Sequence, residues 1–246
     1  MRLIAALLTL VSALPVAGAD LPSGESLLAR FIASTGGEAA YAKIKNVSMN
    51  GDIEMAGRNV AGSVLIVEAG EKSYMSLEFA GIGKVEECYD GTNAWESSAI
   101  SGSRLMEGEE KASIRRASTI GVIKSWRSLY NSARTLGAED FDGKPTWKVE
   151  MTPKEGKPET FYFDQQSGLL VRVASILTSP LGEIASDLRM SDYRVIDGIR
   201  TPLTMTEQVM SQDIVMKFSS VVYNGTLPPD RFDPPAEVKA LIAKRK

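Results

Sequence analysis

The sequence predicts a mainly β fold, in which about ten or eleven antiparallel strands form one curled sheet whose open side is covered by helices. Most of the chain between residues 47 and 223 alternates apolar with polar residues, which is the period of a strand with one buried face. Turn dipeptides such as Asp90-Gly91 and Asp197-Gly198 separate these alternating stretches. Residues 24–44 and 107–133 break the alternation and predict helices.

Residues 1–19 have the features of a secretory signal peptide. Arg2 precedes a short apolar run, and the segment ends in the small residues Ala17-Gly18-Ala19, an A-x-A type of cleavage site. The apolar run is too short to span a bilayer as a helix. We therefore expect cleavage after Ala19, a single domain over residues 20–246, and a periplasmic location.

The first element of the mature chain is an amphipathic helix over residues 24–35. Ser23 precedes it as a plausible N-cap, and Gly36-Gly37 ends it. A short second helical turn is predicted over residues 38–44. The apolar stripe of the first helix consists of Leu27, Leu28, Phe31 and Ile32.

The first group of strands follows directly after these helices. Residues 47–55 alternate strictly, so one face of that strand is buried and the other is wet. Residues 62–68 are apolar on both faces, which predicts a central or covered strand. In residues 72–79, the side chains of Met75, Leu77 and Phe79 share one face.

The segment over residues 107–133 is a helical insert between two groups of strands. Its acidic residues precede its basic ones, and this order suits the dipole of a helix. The apolar stripe is interrupted at Gly121, so the pattern predicts either one kinked helix or two short ones.

A second group of strands completes the sheet. Pro228-Pro229 and Pro234-Pro235 end it, and a short basic helix over residues 236–246 closes the chain. The predicted strands of this group cover residues 133–140, 145–152, 158–164, 169–178, 183–195, 200–209 and 213–223.

Composition excludes several classes of function. The chain has no histidine, which removes Ser-His-Asp triads, Cys-His dyads and the commonest zinc sites. An enzyme would need a less usual apparatus, such as a Ser-Lys pair or an all-carboxylate metal site. The one cysteine, Cys88, follows Glu86 and Glu87, whose charges make its thiol a poor nucleophile. We expect no catalytic residues, no metal and no cofactor.

The overall charge bears on the choice of partners. The formal net charge is −3, so the protein has no electrostatic reason to bind nucleic acid. The same charge argues against strong binding to an anionic membrane surface.

Three hairpin motifs carry a resemblance to a known family. They occur at residues 89–95 (Tyr-Asp-Gly followed by Trp), 161–170 (Phe-Tyr-Phe-Asp followed by Ser-Gly-Leu-Leu) and 191–202 (Asp-Tyr-Arg followed by Asp-Gly and Pro). In order and spacing the three motifs resemble those of periplasmic proteins related to the outer-membrane lipoprotein-sorting carriers, the LolA/LolB-like superfamily. The resemblance extends over about residues 24–233.

This resemblance implies a half-open antiparallel β-barrel of about eleven strands, with helices covering the concave face. It also implies that acyl chains of lipoproteins or other lipids bind in a hydrophobic cavity, with a membrane-bound release or acceptor protein as a partner. The chain is longer than the dedicated carrier and has an extensive insert at 107–133.

Apolar side chains on the strands are the candidate walls of such a cavity. Methionine and large aromatic residues suit variable acyl chains, but they also fill ordinary cores, and both interpretations stay open here. The residues assigned to the cavity are Met49, Met75, Leu77, Phe79, Trp95 and Met216.

We therefore expect a non-enzymatic periplasmic carrier that binds the acyl chains of a lipoprotein or lipid for transfer toward the outer membrane. The alternative is a periplasmic regulatory module on the same fold, which would sense a lipid or lipoprotein and signal to a partner.

Overall fold

The computed structural model describes residues 21–117, 126–179 and 182–245. Residues 1–20, which carry the predicted signal peptide and its cleavage site, lie outside the described residues, and so does the predicted interruption at Gly121. Across the described ranges, no helix is both long enough and apolar enough to cross a membrane.

The strands of the described residues form one antiparallel sheet of thirteen strands. The first six are β1 (Asn46–Met55), β2 (Val60–Ala69), β3 (Lys72–Phe79), β4 (Gly83–Tyr89), β5 (Ala94–Ser98) and β6 (Gly102–Met106). The other seven are β7 (Tyr130–Phe141), β8 (Lys144–Pro153), β9 (Glu159–Asp164), β10 (Leu170–Ser179), β11 (Gly182–Ile196), β12 (Ile199–Val209) and β13 (Gln212–Tyr223).

The sheet consists of two meanders joined at their ends. Its order is β6-β5-β4-β3-β2-β1-β13-β12-β11-β10-β9-β8-β7, so β6 and β7 are the two edges. The joint is the pairing of β1 with β13, in which Met49 lies opposite Val221 and Ile53 opposite Met216. Because the two edges do not pair with each other, the sheet stays open.

The helices are α1 (Gly24–Thr35), α2 (Glu38–Tyr41), α3 (Gly108–Ala117) and α4 (Ala236–Ala243), and residues 126–129 are also helical. The backbone N–H of Ser26 donates to Ser23 Oγ at 3.1 Å, as expected of an N-cap. Gly36 ends α1 with a φ of 142°, which a side chain would disfavour.

The predicted fold class is therefore confirmed: the chain is mainly β, with one open antiparallel sheet and few helices. The sheet has more strands than the roughly eleven expected, because residues 83–106 add the short strands β4, β5 and β6. The predicted insert at 107–133 ends earlier than expected, since β7 begins at Tyr130.

The two faces of the sheet bury different hydrophobic clusters. We call the face that packs against α1 the inner face and the face that packs against α4 the outer face. On β2, Val64 and Ile66 belong to the inner cluster, whereas Leu65 and Val67 belong to the outer one. This division follows from the alternation of side chains along a strand.

Helix α3 shows how strongly the sheet curls. It contacts β3 and β4 in one meander and β10 in the other. Six strand spacings separate β3 from β10 in the sheet order, which in a flat sheet is about 29 Å. A helix of 10 residues is only about 15 Å long. The sheet must therefore bend around its inner face, and α3 bridges the two halves.

Candidate functional site

A cavity of ≈ 270 Å³ lies between the inner face of the sheet and the helices. Its lining is mainly apolar and comes from both meanders as well as from α1, α2 and α3. Helix α1 packs on β7, β8 and β12, while α3 crosses from β3 and β4 to β10. The cavity therefore exists because the helices cover the curled sheet without filling it.

One end of the cavity is aromatic. Phe161 and Phe163 lie two residues apart on β9, so both side chains point to the inner face. The ring centroids of Phe163 and Phe31 of α1 are 5.9 Å apart, and those of Phe161 and Tyr130 are 6.2 Å apart. These tilted and edge-on contacts form a well-packed floor at this end.

The side wall of the cavity is aliphatic. It is built by every second residue of neighbouring strands, which places alternate side chains of β10, β11 and β12 on the inner face. None of these side chains carries a polar group that a bound hydrocarbon would leave unsatisfied. The wall consists of Val173, Leu177, Leu188, Met190 and Met205.

A polar row crosses the lining beneath α3. Ser175 of β10 is paired in register with Ser186 of β11, and Ser186 Oγ donates to Glu207 Oε1 of β12 at 2.8 Å. Ser113 of α3 faces the same cavity. We refer to Ser113, Ser175, Ser186 and Glu207 as the polar row. The cavity thus has apolar walls and this polar row, and its lining also includes the polar side chains of Glu68, Arg200, Thr201 and Tyr223.

A buried ion pair anchors α3 to β9 at the edge of the cavity. Arg116 Nε donates to Glu159 Oε1 at 2.8 Å, and a second guanidinium nitrogen of Arg116 donates to the carbonyl oxygen of Glu155 at 2.6 Å. Tyr130 Oη donates to the other oxygen of Glu159 at 2.6 Å. Burial raises the pKa of Tyr130, and the charge of Glu159 adds to this rise. The Glu159 carboxylate therefore accepts hydrogen bonds from both Arg116 and Tyr130.

A second ionisable group lies on the inner face of β4. Burial, together with the charges of Glu96 and Glu207, raises the pKa of Glu87 to about 7, although Arg104 opposes this rise. Arg104 itself is held between Glu96 and Glu110 at 2.7 and 2.6 Å. On the α3 side of the inner face, the carboxylates of Glu96, Glu110 and Glu207 therefore outnumber the single guanidinium of Arg104.

The structure places five of the six residues predicted for the cavity on the inner face. Met49 lines the cavity. Phe79 and Met216 are buried in the inner cluster, and Leu77 packs against it. Met75 lies opposite Ile66, whose side chain joins the same cluster. Whether any of these side chains contacts a ligand stays a prediction.

Trp95 lies on the other side of the sheet. It is buried in the outer cluster with Val67, Tyr74, Cys88 and Val238, and so is not part of the cavity wall described above. Burial raises the pKa of the neighbouring Cys88 thiol to about 12. This agrees with the inert strand cysteine expected from the sequence.

Sequence reasoning missed most of the wall, which comes from β9 to β12. One signal was present, because the motif at residues 161–170 places Phe161 and Phe163 on one strand face. Nothing in the sequence indicated that Arg116 would meet Glu159. Within the described ranges, no three His, Cys, Asp or Glu side chains are grouped to hold a metal ion.

The fold can be compared with known proteins. No protein-family model matches the chain, and no curated protein matches it. Among solved structures, a DUF1329 family protein from Desulfovibrio piger superposes with a TM-score of 0.58 and 17% identity, over 87% of this chain and 98% of that chain. A LolA superfamily protein from Nitrosomonas europaea superposes with a TM-score of 0.57 and 14% identity, over 87% of this chain and 99% of that chain.

The class that these observations define is an open, curled antiparallel sheet with helices on its inner face. In particular, the chain has the fold of the LolA superfamily structure and of the DUF1329 structure. The fold resemblance predicted from the three hairpin motifs is therefore confirmed. At these identities the likeness concerns the fold alone.

Proposed function

We propose that the protein is a non-enzymatic periplasmic carrier that binds the acyl chains of a lipid or lipoprotein in the cavity between the inner face and α1 to α3. The observation that carries this proposal is the apolar cavity of ≈ 270 Å³. A protein interior normally packs without such voids. An unfilled apolar space with an aromatic floor and a polar side suits an amphiphilic ligand.

The energetics support the proposal. Transfer of an acyl chain from water contributes about 0.8 kcal/mol per buried methylene, so about ten methylenes contribute about 8 kcal/mol. Binding also orders the acyl chain and removes its free motion, and both costs reduce this gain in free energy. The remainder favours reversible binding, which a carrier requires.

The cellular role follows from the same proposal. The signal-peptide features of residues 1–19 support export, and the LolA-like fold supports transfer toward the outer membrane. A membrane-bound release or acceptor protein would then be the partner. Among the residues assigned from the sequence, Met49 is the one that we propose as a direct ligand contact, since it lines the cavity.

Binding of a fluorescent acyl probe tests the proposal. The probe is a ten-carbon chain attached to an uncharged, environment-sensitive fluorophore, and it is titrated into the folded mature protein. We expect saturable binding by the wild type. Val173→Phe fills part of the cavity from β10 and should weaken binding at least tenfold.

Ile176→Phe is the matched control. Ile176 is an exposed residue three positions along the same strand and lies outside the cavity lining, so its substitution should leave binding unchanged. Thermal melting shows whether both variants are folded. The absence of saturable binding by the folded wild type would refute the proposal. Equal binding by the two variants would place the ligand elsewhere.

A further inference from the structure

The volume of the cavity limits what it can hold, and this consideration rests on the proposed function. An apolar cavity of about 150 Å³ accommodates one benzene, which is about 25 Å³ per carbon atom. The cavity of ≈ 270 Å³ therefore holds roughly eleven carbon-sized groups. Three sixteen-carbon chains would need about 1,200 Å³ at the same packing. The cavity matches one medium chain and is far too small for several long ones.

Two parts of the lining resist an extension of this space. At the aromatic floor, Phe163 is 1% exposed, and Val149 and Met151 on the neighbouring strand β8 are both 0% exposed, so a longer chain would have to displace packed core there. On the α3 side, the ion pair of Arg116 with Glu159 forms part of the lining. A tail that passed between these two side chains would have to break a buried ion pair, which is costly.

The polar row gives the ligand an orientation. Ser186 and Glu207 are hydrogen-bonded to each other, and Ser113 and Ser175 add hydroxyl groups beside them. A head group at this row meets hydroxyl oxygens and a carboxylate, which accept hydrogen bonds. Arg116 is already paired with Glu159, so it does not cancel the charge of Glu207. The row therefore favours a head that donates hydrogen bonds and disfavours an anionic head.

We infer that the ligand is a single-chain amphiphile. Its tail of roughly ten carbons fills the aromatic and aliphatic part of the cavity, and its hydrogen-bond-donating head lies against the polar row. A multi-chain lipid does not fit this cavity. This ligand class depends on features that the fold alone does not specify, namely the cavity volume and the position of the polar side chains.

A chain-length series tests the size limit. The probes are n-alkyl glucosides of six to fourteen carbons, kept below micelle-forming concentrations, and binding is measured by calorimetry with stoichiometry from native mass spectrometry. We expect one ligand per protein. Each added methylene should strengthen binding by up to about fourfold, until the gain stops at about ten carbons.

Two variants should change the chain length that gives the tightest binding, in opposite directions. Leu188→Ala removes three carbons from the wall and should shift the optimum about three carbons longer. Val173→Phe should shift it shorter, and it also covers the case in which Leu188→Ala fails to fold. Ile176→Ala, on the same strand as Val173 but outside the cavity lining, should leave the optimum unchanged.

The head-group arm compares decyl glucoside with decanoate at pH 8. We expect the glucoside to bind at least tenfold more tightly, and Glu207→Gln should reduce this ratio because it removes the repelling charge. Equal binding of both heads by the wild type would overturn the head-group assignment.

The outcomes separate this inference from the proposed function. Affinity that continues to rise through fourteen carbons, tight binding of a diacyl or triacyl lipid, or an optimum that neither cavity variant moves would overturn the single-chain assignment while leaving acyl binding intact. No saturable binding of any probe by the folded wild type would instead refute the proposed function itself.

Discussion

The substitution Arg116→Met should destabilise the protein strongly. The side chains of Arg116 and Glu159 are only 8% and 12% exposed, and their N–O distance is 2.8 Å. Removal of the guanidinium leaves the Glu159 carboxylate buried with Tyr130 as its remaining described donor. Breaking a buried pair in this way costs about 3–5 kcal/mol. For a protein of this size, this lowers Tm by about 6–20 °C.

Urea unfolding at pH 7 measures this loss, and a double-mutant cycle assigns it to the pair. Glu159→Gln keeps an oxygen for the Tyr130 hydroxyl but removes the charge. The double variant Arg116→Met, Glu159→Gln should therefore recover about 2 kcal/mol or more relative to Arg116→Met alone. The matched control is Arg127→Met, since Arg127 pairs with Glu25 at 2.7 Å but both side chains are more than half exposed. Its cost should be at most about 1 kcal/mol.

The reasoning would be refuted if Arg116→Met cost no more than Arg127→Met. It would also be refuted if the charge-free double variant were as unstable as Arg116→Met alone, because an uncompensated carboxylate would then not be the cause.

Three further expectations concern titration, reactivity and export. The pKa of Glu87 is raised by burial and by Glu96 to about 7, from 4.5, so the native state keeps a proton that the unfolded chain releases between these values. Wild-type stability should fall as pH rises through this window, and Glu87→Gln should be the more stable protein at pH 8, by up to about 3 kcal/mol; urea unfolding with equal pH dependence in both proteins would contradict this. Cys88 is 0% exposed with a pKa raised to about 12, so a disulfide reagent at pH 8 should label it only after unfolding, and rapid labelling of the native protein would show the thiol to be accessible. N-terminal sequencing of the exported protein should begin at Asp20, whereas retention of Met1 would contradict the predicted cleavage.

Part of the candidate site was accessible from the sequence. The apolar stripe of α1 predicts that Phe31 packs on the sheet, and the alternation in β1 predicts that Met49 and Ile53 share a face. Both inferences use local periodicity, which depends only on neighbouring residues. The aromatic floor was partly accessible as well, because Phe161 and Phe163 stand two apart in a recognisable hairpin motif.

The position of Trp95 could not be predicted from the local sequence pattern. A period of two assigns side chains to two faces, but it does not state which face the cavity occupies. Strand β5 pairs Trp95 with Cys88, and α4 brings Val238 from the end of the chain onto that face. Trp95 is therefore buried under a helix that lies far away in the sequence.

The sequence by itself determined the class of fold, the approximate places of the helices and most strands, and the lack of histidine chemistry. Strand alternation, turn dipeptides and helix caps are local, so they can be identified without any knowledge of what packs on them. Only the tertiary structure decided the cavity volume, the meeting of Arg116 with Glu159, and the polar row from Ser175 to Glu207. These features join elements that are distant along the chain, and their positions depend on how far the sheet curls and where α3 crosses it.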